Sequence, residues 1–223
     1  MATLKDPITS TEQRVEAAHK AARVSIYPQQ VVGEYRYSGF TGLLPAALAA
    51  NAEIMQFRWG AATHLCILKF LKVRFSVITG FTAAQELGFD AVTSVTWTAN
   101  GTGGTSIAPG ANNLKKRQAY EDSKVADFRI ATTAALGVGS KSITSQSFLA
   151  GMGKTLAAAA TVQDAAFEDM VDFTQSGDAP YVFAQNEGFS VRNSILLGAG
   201  GTVRAAIQVA WAEVLATDYP SFA

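Results

Sequence analysis

The sequence predicts an all-β fold: an antiparallel β-sandwich or jelly roll, preceded by an N-terminal arm that contains a short helix. Three observations carry this. Apolar and polar residues alternate over 64–78, 89–97 and 203–211, the mark of strands with one buried face. The segments between the periodic stretches are rich in Gly, Ser, Thr and Asn, which are turn-forming residues. Few stretches outside the arm favour a helix.

Residues 1–32 form the arm. Asp6-Pro7 is a turn. Ser10 can cap a helix, with Gln13 as its capping-box partner. Residues 12–22 then have helical propensity, with a thin apolar face of Val15, Ala18 and Ala22. Such a segment is marginal alone, so these three residues are candidates for contact with a neighbouring subunit. Tyr27-Pro28 ends it.

The sandwich domain spans 33–216, and 217–223 is a C-terminal tail. Its first β segment, 31–42, closes on a turn at Gly39-Phe40-Thr41-Gly42. Residues 43–51 form a short helix or an irregular connection. In 52–59 the larger apolar face carries Met55, Phe57 and Trp59. A long hairpin follows. Leu71, Val73, Phe75 and Val77 oppose Lys72, Arg74 and Ser76 in its first strand, and Phe89, Ala91, Val95 and Trp97 oppose Asp90, Ser94 and Thr96 in its second. Residues 99–113 and 137–147 read as loops around a short strand at 127–136. The stretch 148–174 is ambiguous: 156–160 is helix-prone, and Phe167, Met170, Val171 and Phe173 suggest an amphipathic turn or two. Short strands at 181–184 and 189–197 lead to a hairpin turn, Gly198-Ala199-Gly200-Gly201, and to the closing strand 203–211.

Composition narrows the function. The 18 basic and 18 acidic residues give a formal net charge of +0, which draws the chain to neither nucleic acid nor an anionic membrane. Only 16% of residues are charged, against about a quarter in an ordinary soluble domain. A chain that buries surface in an assembly fits this composition. The single cysteine, Cys66, makes no internal disulfide. There is no apolar signal core and no apolar run near the roughly 20 residues a membrane span needs. Synthesis in the cytoplasm without classical export is the expectation.

Chemistry is hard to place. His64 and Cys66 would share one side of a strand, but no third metal ligand is visible. Gly151-Met152-Gly153-Lys154-Thr155 looks like the end of a phosphate loop, yet Phe148 stands where its first glycine belongs, so it reads as a plain loop. Glu168, Asp169 and Asp172 read as a solvated helix face, and Lys115, Lys116 and Arg117 as a surface or interface patch. Asn100-Gly101-Thr102 matches a glycosylation sequon that carries no weight without a secretory signal. Trp59, Trp97, Phe81 and Phe89 would bind a sugar if exposed; their alternating context places them in core or subunit contacts. No catalytic residue, cofactor or metal is assigned.

Five segments resemble a family of tailed-bacteriophage virion structural proteins of uncharacterised role. They are Asn51 to Gly60 (NAEIMQFRWG), Gly80 to Asp90 (GFTAAQELGFD), Asp127 to Leu136 (DFRIATTAAL), Ala184 to Phe189 (AQNEGF) and the closing Trp211-Ala212-Glu213-Val214. The resemblance implies a non-enzymatic virion component, a capsid decoration or cement protein. It would act as a homo-oligomer such as a trimer, in contact with the major capsid protein or other virion proteins. Within the matching connection, Phe81, Gln85 and Glu86 are candidate subunit contacts. The alternative is a tail, fibre or head appendage that binds a host receptor or glycan through the loop 100–110. An enzyme acting on host sugar through Asp90 or the 168–172 carboxylates is the weakest reading, because no paired carboxylates can be set on facing strands.

Overall fold

The computed structural model describes residues 31–110, 114–155, 167–173 and 179–219, with the backbone alone at 154–155 and 167–170 and at three short strands of the arm. Those three are β1 (Thr3–Lys5), β2 (Glu12–Glu16) and β3 (Ala21–Ala22), paired antiparallel. Ser10 and residues 17–20, the cap and centre of the expected arm helix, lie outside the described residues. Where the backbone is described, at β2 and β3, it is extended and not helical. An apolar face of one valine and two alanines gives a helix little to pack with.

The domain is a β-sandwich. One sheet runs β10-β7-β13-β5-β9-β8, built from β5 (Ala52–Trp59), β7 (Gln85–Ala99), β8 (Thr105–Ser106), β9 (Val125–Ile130), β10 (Ser140–Thr155) and β13 (Gly188–Asn193). The other runs β11-β6-β14-β4, built from β4 (Val31–Phe40), β6 (His64–Thr79), β11 (Phe167–Asp172) and β14 (Thr202–Leu215), with β12 (Val182–Phe183) also paired to β6. Every strand pairing in it is antiparallel.

The chain changes sheet at each step from β4 to β7 and again from β12 through β13 to β14. β4, β6 and β14 lie in one sheet, and β5, β7 and β13 in the other. The expected hairpin of 64–97 is therefore not a hairpin. Its two strands exist, but residues 80–84 carry the chain across the sandwich, and β6 pairs with β14 instead (Val73 opposite Ile207, Leu71 opposite Val209). The turn 198–201 likewise crosses between sheets. Both corrections have one cause: apolar alternation marks a buried face, while the choice of neighbour is set by packing between distant segments.

Of the two forms the sequence allows for residues 43–51, the irregular connection is the one present, with Leu44 bridged to Val203. Two further expectations change. The loop expected over 137–147 and the ambiguous start of 148–174 become β10, a strand with three register shifts against β7. Phe167, Met170 and Val171 lie on strand β11, not on an amphipathic turn. The helix-prone stretch 156–160 lies outside the described residues.

The core fills the space between the sheets. Leu71, Val73, Phe75 and Val77 of β6 are all buried there, as the alternation predicts. At its centre Trp211 stacks on Tyr35, ring centroids 5.4 Å apart, and meets Phe57 edge-on at 5.1 Å. Phe128 packs edge-on against both Phe57 and Trp211. Val95 and Trp97 leave the face that alternation assigns them with Phe89 and Ala91: Val95 is exposed. Thr96 has a φ of 51°, a left-handed conformation that breaks the period-two pattern. Trp97 is fully buried, but outside the main core cluster.

The two crossings dock on each other. Thr82 donates its amide to the Ala199 carbonyl, and Gln85 Oε1 accepts the Gly198 amide at 2.6 Å. A Cβ at Gly201 would overlap the ring of Phe81. Gly201→Ala is therefore expected to cost about 1–3 kcal/mol through overpacking, read as a lower urea midpoint with an unchanged slope.

Candidate functional site

The two ends of the sandwich differ. At one end the connections 41–51, 80–84 and 194–201 lock together. Ala47 donates to Gly198, Leu197 to Leu48, and Ser194 to Gly88. This end and the strand tips beside it expose large apolar side chains: Phe40 at 68%, Leu196 at 60%, Leu43 at 42% and Ile78 at 39%. A shallow groove of about 260 Å³ includes two of them, lined by Phe40, Arg74, Ser76, Ile78, Arg204 and Ala206. Its apolar walls sit between two guanidinium groups. Exposed apolar groups gathered in one place mark a contact surface more often than scattered ones do.

The three sequence-selected residues of the 80–88 connection belong to this end in different ways. Phe81 is 1% exposed and sits beneath Gly201, so its area is used inside the chain. Gln85 ties down Gly198. Glu86 is exposed. Val15, Ala18 and Ala22 have side chains outside the described residues. Sequence reasoning passed over Phe40, Leu43 and Leu196, whose neighbours Gly39, Thr41, Gly42 and Gly198 read as turns. An aromatic or leucine in a glycine-rich turn was the available signal. The arm joins the domain at Val31, opposite Val214, at the other end.

A second feature lies on the outer face of the six-stranded sheet. Met55, Phe57, Phe189 and Val191 point into the core, so Gln56 and Ser190 point out. Two loops cover that outer face. Arg58 reaches Asn100 Oδ1 at 2.5 Å, Arg129 donates to the Gly103 carbonyl, and the two loops bridge at Thr102 and Gly137. The expected glycan-presenting loop at 100–110 is thus held along its first part against the sheet.

Beneath the loops lies a buried ionic cluster. Lys141 Nζ stands 2.6 Å from Glu53 Oε2, with side-chain exposures of 0% and 1%. Nζ also donates to Ser190 Oγ at 2.8 Å and sits 3.8 Å from the centroid of the Trp97 ring. Gln56 Nε2 donates to Glu53 Oε2 at 2.5 Å and to the Gly137 carbonyl at 3.0 Å. Burial pulls the Lys141 ammonium below its ordinary range despite the adjacent carboxylate. Glu53 Oε1 and Gln56 Oε1 are buried without hydrogen-bond partners.

A third buried carboxylate, Glu213, is structural in placement. Its Oε1 accepts from Ser123 Oγ at 2.6 Å and from Trp211 Nε1 at 3.1 Å, and both its oxygens accept the Lys124 amide. It anchors the loop before β9 to the core. Burial pushes its pKa up, outweighing these donors. Burial also pushes up the Cys66 thiol and the Tyr35 phenol, and the nearby Glu213 charge adds to both.

The remaining motif residues are dispersed. Gly151 to Thr155 lie on β10, opposite Phe89 to Gln85, so the phosphate-loop likeness sits in a paired strand. Glu168 and Asp169 are consecutive positions of strand β11, so the expected helix face does not exist. Asp90 is held by Arg192 through both carboxylate oxygens. Lys115 pairs with Asp122, Lys116 with Glu34, and Arg117 lies over the Tyr120 ring. His64 Nδ1 meets Thr63 Oγ1, and Cys66 is fully buried. Among the described residues no group of three or more His, Cys, Asp or Glu is placed to hold a metal ion, and no helix is long and apolar enough to cross a membrane.

No family model, no curated protein and no solved structure matches this chain.

Proposed function

We propose that this chain is a non-enzymatic structural protein of a tailed-phage virion, a capsid decoration or cement protein that works through contacts between copies and with the capsid. The observation that carries the reading is the apolar end of the sandwich: Phe40 and Ile78 are exposed in the arginine-flanked groove, and Leu43 and Leu196 are exposed on the connections of that end. The low charge of the chain and the resemblance of segments within 33–216 to virion proteins supply the setting. In this reading the apolar end meets a second copy, and the arm 1–30, which leaves from the opposite end, reaches a neighbouring capsid subunit. Interface area then adds stability to the particle by mass action.

Two measurements test it. Sedimentation of the full chain is expected to show a homo-oligomer, and Phe40→Ser with Leu196→Ser is expected to release monomers of unchanged β content. A wild-type monomer at tens of micromolar, taken as the range where a contact worth about 7 kcal/mol assembles, would sink the copy-to-copy contact. Deleting residues 1–30 is expected to lower retention on purified particles, and full retention would sink the anchoring role of the arm. Binding of the purified protein to a glycan array would favour the receptor-binding alternative.

A further inference from the structure

We infer that the cluster beneath the loops is the site of an intramolecular isopeptide bond, formed autocatalytically between Lys141 Nζ and Gln56 Cδ with Glu53 as the proton carrier. The inference does not depend on the virion reading.

The geometry supplies a proton relay and an enclosed, positioned amine for such a reaction. A single oxygen, Glu53 Oε2, touches both nitrogens that must exchange protons: Lys141 Nζ at 2.6 Å and Gln56 Nε2 at 2.5 Å. The nucleophile and the leaving group therefore share one carboxylate. The side chains of Lys141 and Glu53 are 0% and 1% exposed, and Gln56 is fully buried. Water is kept from the reacting carbon, which protects an acyl centre from hydrolysis. The Trp97 ring and Ser190 Oγ fix the amine from two further directions. Burial favours the neutral amine, the form that attacks.

The cluster is also an incomplete ion pair. A buried pair kept for structure satisfies its remaining lone pairs, because each unmet acceptor costs free energy. Here Glu53 Oε1 and Gln56 Oε1 are left unpaired. Holding the reactants together replaces a bimolecular encounter, the source of most of the acceleration open to an enclosed amine and amide.

The step balances without an oxidant or cofactor. Glu53 takes one proton from the Lys141 ammonium. The freed amine attacks Gln56 Cδ, forming the new C–N bond while the carbonyl electrons move to Oε1. Glu53 passes that proton to Nε2. The C–Nε2 bond breaks as the carbonyl reforms, releasing ammonia, and Glu53 carries the second proton from Nζ to it, so that ammonium leaves. Glu53 ends ionised, as it began. The product ties β10 to β5, two strands separated by β7 and β13 in the same sheet.

The test is the intact mass of the denatured, full-length protein, compared with that of Lys141→Arg. The wild type is expected to weigh one ammonia less than its sequence, with a proteolytic fragment that joins Lys141 to Gln56. A folded wild type of full sequence mass overturns the proposal. Loss of one water, with the bond at Glu53, overturns the assignment of Gln56. Glu53→Gln is expected to keep its full mass while retaining a β circular-dichroism spectrum; a crosslink that persists in it overturns the role given to Glu53. The wild-type mass decides the central claim whether or not a variant folds.

Discussion

Trp211→Ala is expected to lower stability by about 3–5 kcal/mol, the usual cost of emptying a buried aromatic site. Trp211 is fully buried and touches Tyr35, Phe57 and Phe128. Those rings come from β4, β5 and β9, so the indole joins both sheets. None of them can move into the space without pulling a strand, so the cavity will collapse only in part. The deletion also removes the indole N–H from Glu213. In a domain of this size the melting temperature should fall by roughly 10 °C or more. Trp211→Phe keeps most ring contacts and should cost less than half as much. Equal midpoints for wild type and Trp211→Ala by thermal circular dichroism would refute the central place given to this residue.

Glu213→Ala should cost about 2–4 kcal/mol, because it leaves the Ser123 hydroxyl, the Lys124 amide and the Trp211 indole without their common acceptor. Glu213→Gln separates packing from charge. The folded pKa of Glu213 is raised from the ordinary 4.5 by burial. The folded state therefore holds its proton more tightly than the unfolded chain does. The stability contributed by that proton is fully present below the unfolded pKa and is lost as pH rises through the folded one. The stability of the wild type relative to Glu213→Gln should accordingly fall as pH rises from below 4.5 to above the folded value. A difference that is flat or rises over that range, measured by urea unfolding, would show that the donors outweigh burial.

Much of the fold was legible in local pattern. The buried faces of β6 and of the first part of β14 follow from alternation, since a strand with one wet face must repeat every second residue. The phosphate-loop likeness at 151–155 fails in the sequence on glycine spacing and on the lack of a preceding apolar strand, and it lies in a paired strand. Other parts were not legible. The segment 140–153 carries Ser, Lys, Thr and Gly with three register shifts against β7, so its alternation is broken where a reader would look for it. The candidate sites were harder still. Phe40 and Leu196 stand next to glycine-containing turns, and only the docking of three distant connections gathers them at one end. Glu53, Gln56, Lys141 and Ser190 come from three strands, and no spacing along the chain joins them.

By itself, the sequence determined that this chain is a β protein, where most of its strands run and which side of each is apolar. Those properties live in neighbouring residues and in the geometry of the pleat. Tertiary structure alone decided that β6 leaves β7 for β14, that Thr96 turns Trp97 out of the core, and that Lys141 meets Glu53 beneath two loops. Each of these compares packing among segments far apart in the chain, and the free-energy difference appears only when the alternatives are folded.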